Sequence, residues 1–297
     1  MFDIRSIPRS ISSRRRRFGR STRAEIAIRI IIGLIAIAFV VPMYLLVVIS
    51  LKTPTQVAES PFTIPLRPHW SNYRQVWEKS SGSGTASFPQ AVVNSLMITG
   101  VSTVLLIVIA AMAGYVLGRR TSRWSTAVYL TFMAGISIPM QLVVIPLYTA
   151  LNALGLVGSP IGAIMLYVGF LTPFSVFLFT GFVRAMPRDF EEAAAIDGAG
   201  WISIFGRIVL PLLAPIVSTV AVLDAIAVWN DFFGQLILLN GSGNESLPVT
   251  VFSFAGQYVS RYDLLSAGLV LAILPILVFY LILQRRIISG FSSGLKG

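Results

Sequence analysis

The sequence predicts an all-α integral membrane protein, six transmembrane helices with a short cytoplasmic helix between the fourth and fifth. Three observations predict it. Of 297 residues, 55% are hydrophobic and 12% are charged, where a soluble domain carries about 25% charged residues, and the mean hydropathy is +0.80. The apolar residues gather in runs close to the ~20 residues that a helix needs to cross a ~30 Å hydrocarbon core. Nearly all the Lys and Arg residues stand outside those runs, before the first, between them or after the last.

The first run, 27–50, contains only Arg29 near its start. It is too long for a secretory signal core, and Arg16-Arg17-Phe18 has no small-residue cleavage site closely after the run, so an uncleaved anchor is expected rather than a twin-arginine leader. A loop with Pro54, Pro61, Pro65, Pro68 and Pro89 follows, with a short helix around Asn72–Trp77 and a flexible stretch from Ser80 to Ser83. The further spans are 92–117, 128–148, 160–182, 209–238 and 264–283. Ala110 and Gly114 in the second span form a small-xxx-small pair that lets a neighbouring helix approach. The expected organisation is a basic segment 1–26, a membrane body 27–284 and a tail 285–297.

Basic residues near helix ends are retained on the cytoplasmic side. Eighteen of the 23 Lys and Arg residues fall on the side of the N-terminus and five on the other, so both termini are expected in the cytoplasm. Because the positive charge is distributed as a topology signal, it does not point to nucleic acid. The run Arg14–Arg17 serves as a topology anchor or as a patch for anionic headgroups.

Enzymatic chemistry has little to build on. There is no cysteine and a single histidine, His69, which excludes disulfides and thiolate metal sites, and one histidine in a Pro-rich loop cannot build a metal site by itself. Phosphate binding by a P-loop needs a lysine after a glycine-rich turn, and none of Lys52, Lys79 and Lys296 follows one. No cofactor is therefore expected in this chain.

The most informative segment is polar and lies between the fourth and fifth spans. It begins at Met186 and runs through Asp189, Phe190, Glu191, Glu192, Ala193, Ala194, Ala195, Ile196, Asp197, Gly198 and Ala199 to Gly200. Asp189 with Glu192 has the spacing of a capping box, the alanines favour a helix, and Gly198 can end it in the left-handed conformation. The string Glu192-Ala-Ala-(x2)-Asp197-Gly198-(x9)-Ile208-(x)-Leu210-Pro211 resembles the EAA loop of ABC importer permeases, the transmembrane subunits of binding-protein-dependent uptake systems. Pro42, Ser50–Thr53, Asn94-Ser95, Trp229–Phe232 and the segment 284–297 look like the carbohydrate branch, the maltose-type second permease.

That resemblance implies several partners: a second permease, two ATP-binding cassette subunits that hold ATP and Mg, an extracytoplasmic solute-binding protein, and the bilayer of a bacterial or archaeal cytoplasmic membrane. It implies that Phe190 to Ala199, with Pro211, couples to the ATPases and that the cargo is a sugar or oligosaccharide, with a polyol or glycerol-phosphate derivative as alternative. An ionisable residue inside a span is a functional hypothesis by default. Asp224, Asn230 and Asp231 are thus substrate-pathway candidates, Asp224 and Asp231 being seven residues apart on one helix face, or else they satisfy neighbouring helices. A proton-coupled carrier using Asp224 is the competing class. The last outer loop, with Gln257, Tyr258, Arg261 and Tyr262, aligns in position with a family loop that reaches the binding protein, or supplies interfacial aromatics and a snorkelling cation.

Overall fold

The computed structural model describes residues 22–78, 85–255 and 261–294. The arginine-rich segment up to Arg20 and the stretch Ser80–Ser83 lie outside them. Two compact units are present, 1–45 and 46–297. The first consists, in its described part, of α1 (Thr22–Ser50), whose last turn belongs to the second unit. The remaining elements are helical, and no strand occurs among the described residues.

In the second unit, α2 (Pro54–Glu59) opens with a capping box between Thr53 and Gln56, and α3 (Ser71–Glu78) follows where a short helix is expected. Buried Asn72 fixes α3 by donating Nδ2 to the carbonyls of Ser50 and Lys52, at 2.9 and 2.8 Å. Lys52, 1% exposed, donates to the Ser60 carbonyl at the end of α2, and burial lowers its pKa.

Two long helices form the spine, α4 (Phe88–Arg119) and α7 (Pro160–Ala185), capped by Ser87 and Ser159 with proline in the first turn. Their seam follows a period of four. A Cβ on Gly114 would lie 2.5 Å from Phe179 Cβ, and one on Gly118 would lie 2.6 Å from a Val183 methyl, so only glycine permits this approach. The expected small-residue pair Ala110 and Gly114 therefore sits at the principal helix contact, and Ala110 is fully buried.

Two apolar runs depart from straight spans. The third is divided into α5 (Arg123–Ile136) and α6 (Met140–Ala153), which meet at 105°. Pro139 precedes α6 and carries extended backbone, which cannot continue the preceding helix. The fifth begins with α9 (Trp201–Ile204), a π-helical turn (Phe205–Val209) and α10 (Leu210–Leu212). The chain then turns by 72° into α11 (Ala214–Asn230), breaks at Asp231 and continues as α12 (Phe233–Leu239). Next come α13 (Leu247–Phe252), a 3-10 turn (Ser253–Ala255) and α14 (Tyr262–Gly294). By length and composition, three helices among the described residues can cross a membrane, or up to five if each bent pair is one span.

Candidate functional site

Helix α8 (Asp189–Ile196) has no buried residue, with Phe190 58% and Ile196 87% exposed. An eight-residue helix is marginal by itself, so its ends and anchors matter. The expected capping box is absent. Arg188 occupies the N-cap in helical conformation and its carbonyl accepts from the amides of Glu191 and Glu192, which makes Asp189 the first helical residue. Asp189, Glu191 and Glu192 instead place negative charge on the positive end of the helix dipole. The other end is as expected. Gly198 has φ +82°, the Ala199 amide donates to the Ala194 carbonyl at 2.9 Å and the Gly198 amide to Ala195 at 3.1 Å, closing a Schellman turn.

What holds α8 is a clamp from α4. Arg119 donates Nε and Nη2 to Glu191 Oε1 at 2.9 and 2.5 Å, and Tyr115 donates its hydroxyl to Oε2 at 3.0 Å. Arg119 Nη1 also donates to the carbonyls of Val183 and Met186 at the end of α7, at 2.8 and 3.0 Å. The Arg119 and Glu191 side chains are 12% and 13% exposed, so the pair is shielded and geometrically determined. Tyr115 also packs on Phe205 in the π-helical turn, ring centroids 5.3 Å apart. One half-buried junction thus ties α4, α7, α8 and the chain leading to Pro211.

The polar residues of the fifth run do not share one face. Asp224 is 1% exposed and accepts from Ser175 Oγ of α7 at 3.1 and 2.9 Å. Asp231 lies past the end of α11 in extended conformation, which removes the helical register expected with Asp224. Its Oδ2 accepts from the Tyr167 hydroxyl at 2.7 Å and from the Gly234 amide at 3.0 Å. Asn230 is exposed and lines a cavity of 190 Å³ with Trp229 and Leu247. A second cavity, of 370 Å³, opens between α4, α11 and α14 and is lined by Leu96, Thr99, Thr103, Ala225, Trp229 and Pro275, without Asp224, Asn230 or Asp231. Thr103 Oγ1 on its wall is buried with no hydrogen-bond partner among the described residues.

Residues 104–292 match the family model described as the binding-protein-dependent transport system inner membrane component. The chain belongs to this family. It is a membrane transport component, not an enzyme in itself. The melibiose/raffinose/stachyose import permease MelC of Bacillus subtilis is 32% identical over 92% of this chain and 97% of its own length. The probable starch degradation products permease AmyC of Thermoanaerobacterium thermosulfurigenes is 31% identical over 88% and 92%. Among solved structures, a chain of a bacterial ABC transporter involved in import of the acidic polysaccharide alginate superposes with a TM-score of 0.78 at 21% identity, covering 90% of this chain and 98% of that one. The last likeness is one of fold.

In this permease the residues of the last loop, expected on the outer side, divide. Gln257 and Tyr258 lie outside the described residues. Tyr262 is 57% exposed, whereas Arg261 is engaged with buried Asp263 at 3.0 and 2.8 Å, which raises the pKa of the guanidinium. A further carboxylate, Glu245, is 2% exposed and accepts from the backbone amide of Ala86, fixing the approach to α4. Sequence reasoning missed the clamp, Tyr167, Ser175 and Glu245. Arg119 reads there as a topology charge, and the single available sign was an excess of acid in α8 beyond what capping uses.

Proposed function

We propose that this chain is the permease subunit of an ATP-driven, binding-protein-dependent importer for a sugar or oligosaccharide. The names of its relatives support the cargo class, since MelC is named for the import of melibiose, raffinose and stachyose and AmyC as a probable permease for starch degradation products. In this reading the chain crosses the membrane six times, with both termini in the cytoplasm. The bent pairs α5–α6 and α9–α11 supply one crossing each, and α14 supplies the last.

The observation that carries the mechanism is the exposed α8 on a half-buried clamp. Its free face, Phe190 with Glu192, Ala193, Ala195 and Ile196, docks in a cleft of a partner ATPase, where small alanines permit close approach. Closure of two such ATPases around ATP and Mg pushes α8. Arg119 and Tyr115 pass the displacement to α4, while Gly198 and the chain through Pro211 pass it to α11. A second permease completes the pathway and a solute-binding protein delivers cargo at the opposite face.

Asp224 and Asp231 brace α11 and α12 against α7, and Asn230 is the residue of the three that faces the pathway. The test is co-purification from the native membrane followed by reconstitution. A second permease and an ATPase should accompany the chain, with ATP hydrolysis stimulated by one sugar-loaded binding protein. A chain that purifies alone and moves solute down a proton gradient would refute the proposal.

A further inference from the structure

A pocket of 590 Å³ lies where α4 and α7 end and α5 begins, lined by Arg119, Arg120, Thr121, Thr126, Arg184 and Arg188 among others. Four arginines line it. Arg119 is committed to Glu191. Among the described residues, no carboxylate lies within ion-pair distance of Arg120, Arg184 or Arg188. Arg184 instead stands over the Tyr129 ring at 4.5 Å, and Arg188 donates to the Arg119 carbonyl at 3.3 Å. The pocket is therefore built with an excess of bidentate donors and no internal anion, an arrangement suited to phosphate.

Its surroundings favour one phosphate source. Trp124, in the first turn of α5 and two residues before pocket-lining Thr126, is 82% exposed, and Tyr129 follows five residues further along the same helix. Aromatic residues in this position lie at headgroup level. Val116 and Val128, on the helices leading away from the pocket, are 41% and 46% exposed, an apolar surface suited to acyl chains. The N-terminus of α5, capped by Ser122, adds a partial positive charge on the same side.

We infer that this pocket binds the phosphate of an anionic phospholipid, with Arg120, Arg184 and Arg188 around the headgroup and the acyl chains along α4 and α5. Since Arg188 directly precedes α8, the lipid sits at the base of the proposed lever, and its occupancy would stiffen that base. The leaflet, though not the site, rests on the proposed orientation.

The test uses the assembled transporter in nanodiscs of phosphatidylcholine with or without phosphatidylglycerol, read by native mass spectrometry of retained lipid and by thermal stability. The parent should retain phosphatidylglycerol in preference to phosphatidylcholine and be stabilised by it. The double variant Arg120→Gln/Arg188→Gln, which leaves the Glu191 ion pair and the Tyr129 stack in place, should lose about thirtyfold of that preference. Its stability in phosphatidylcholine alone should equal that of the parent, which excludes misfolding. Arg120→Lys/Arg188→Lys should keep most of the preference.

Equal retention by parent and Gln variant would overturn the site. Displacement of the lipid by millimolar inorganic phosphate would reassign it to a soluble anion. Loss of ATPase subunits from the Gln variant with lipid retention unchanged would make the pocket a protein contact. Orientation is read separately. The chain has no cysteine, so Arg123→Cys should react with an impermeant maleimide in inside-out vesicles only, and reaction from outside would refute the orientation while leaving the lipid result standing.

Discussion

Replacing Glu191 by Ala should release α8 from its support. The side chain it loses is 13% exposed and accepts two hydrogen bonds from Arg119 and one from Tyr115. Breaking a fully buried ion pair costs about 3–5 kcal/mol and an exposed one about 0–1. With one side open and Arg119 still held by the carbonyls of Val183 and Met186, the loss should be about 2 kcal/mol, equivalent to roughly thirtyfold in a local opening equilibrium. The assay is amide hydrogen exchange of the assembled transporter. Amides of residues 193–198 should exchange about thirtyfold faster, while those of α5, which lies outside the clamp, should not change. Uptake per ATP hydrolysed should fall with the same variant. Exchange within about threefold of the parent would show that α8 does not depend on the clamp, and the proposed path from α8 to α4 would fail.

Three further outcomes are expected. Gly198→Val must hold φ +82° with a branched side chain, a strain of about 1–2 kcal/mol, and should uncouple hydrolysis from uptake, whereas Gly200→Ala, with φ −69° and nothing within 4 Å of the added Cβ, should transport normally. Gly114→Ala should force α4 away from Phe179 and lower thermal stability by about 1–3 kcal/mol, while Gly100→Ala, which meets nothing within 4 Å, should be neutral. Asp224→Asn keeps an acceptor for Ser175 Oγ and should leave uptake and apparent affinity within about twofold of the parent; a large loss of either would return its carboxylate to the substrate pathway.

The sequence made much of this architecture legible because hydropathy and charge are local signals. The runs within α1, α4, α7 and α14 lie inside helices at the expected places, and the Asp197-Gly198 stop acts as its chemistry dictates. The bends were hidden by the same signal. Ser137-Ile138-Pro139 and Leu213 interrupt the backbone without interrupting apolarity, so two runs read as straight spans. Asp231 was placed on a helix face because its seven-residue spacing from Asp224 presumes that the helix continues, whereas α11 ends one residue before it.

Asp189 was taken for a cap because the pattern does not report that Arg188 is already helical. The clamp could not be read from spacing at all. Arg119 and Glu191 are 72 residues apart and meet only because glycines at 114 and 118 bring α4 against α7.

The π-helical turn at Phe205–Val209 has a bearing on how such a chain accommodates insertions and deletions. A turn with i→i+5 bonds is an α-helix holding one surplus residue, and the surplus is confined here to five positions between α9 and α10. Deleting one residue within them would restore an ordinary helix, but at about 100° per residue it would rotate Trp201–Ile204 a quarter turn about its axis relative to Leu210. Length variation in this segment is thus not neutral drift, since each gain or loss re-aims one end of the connection against the other.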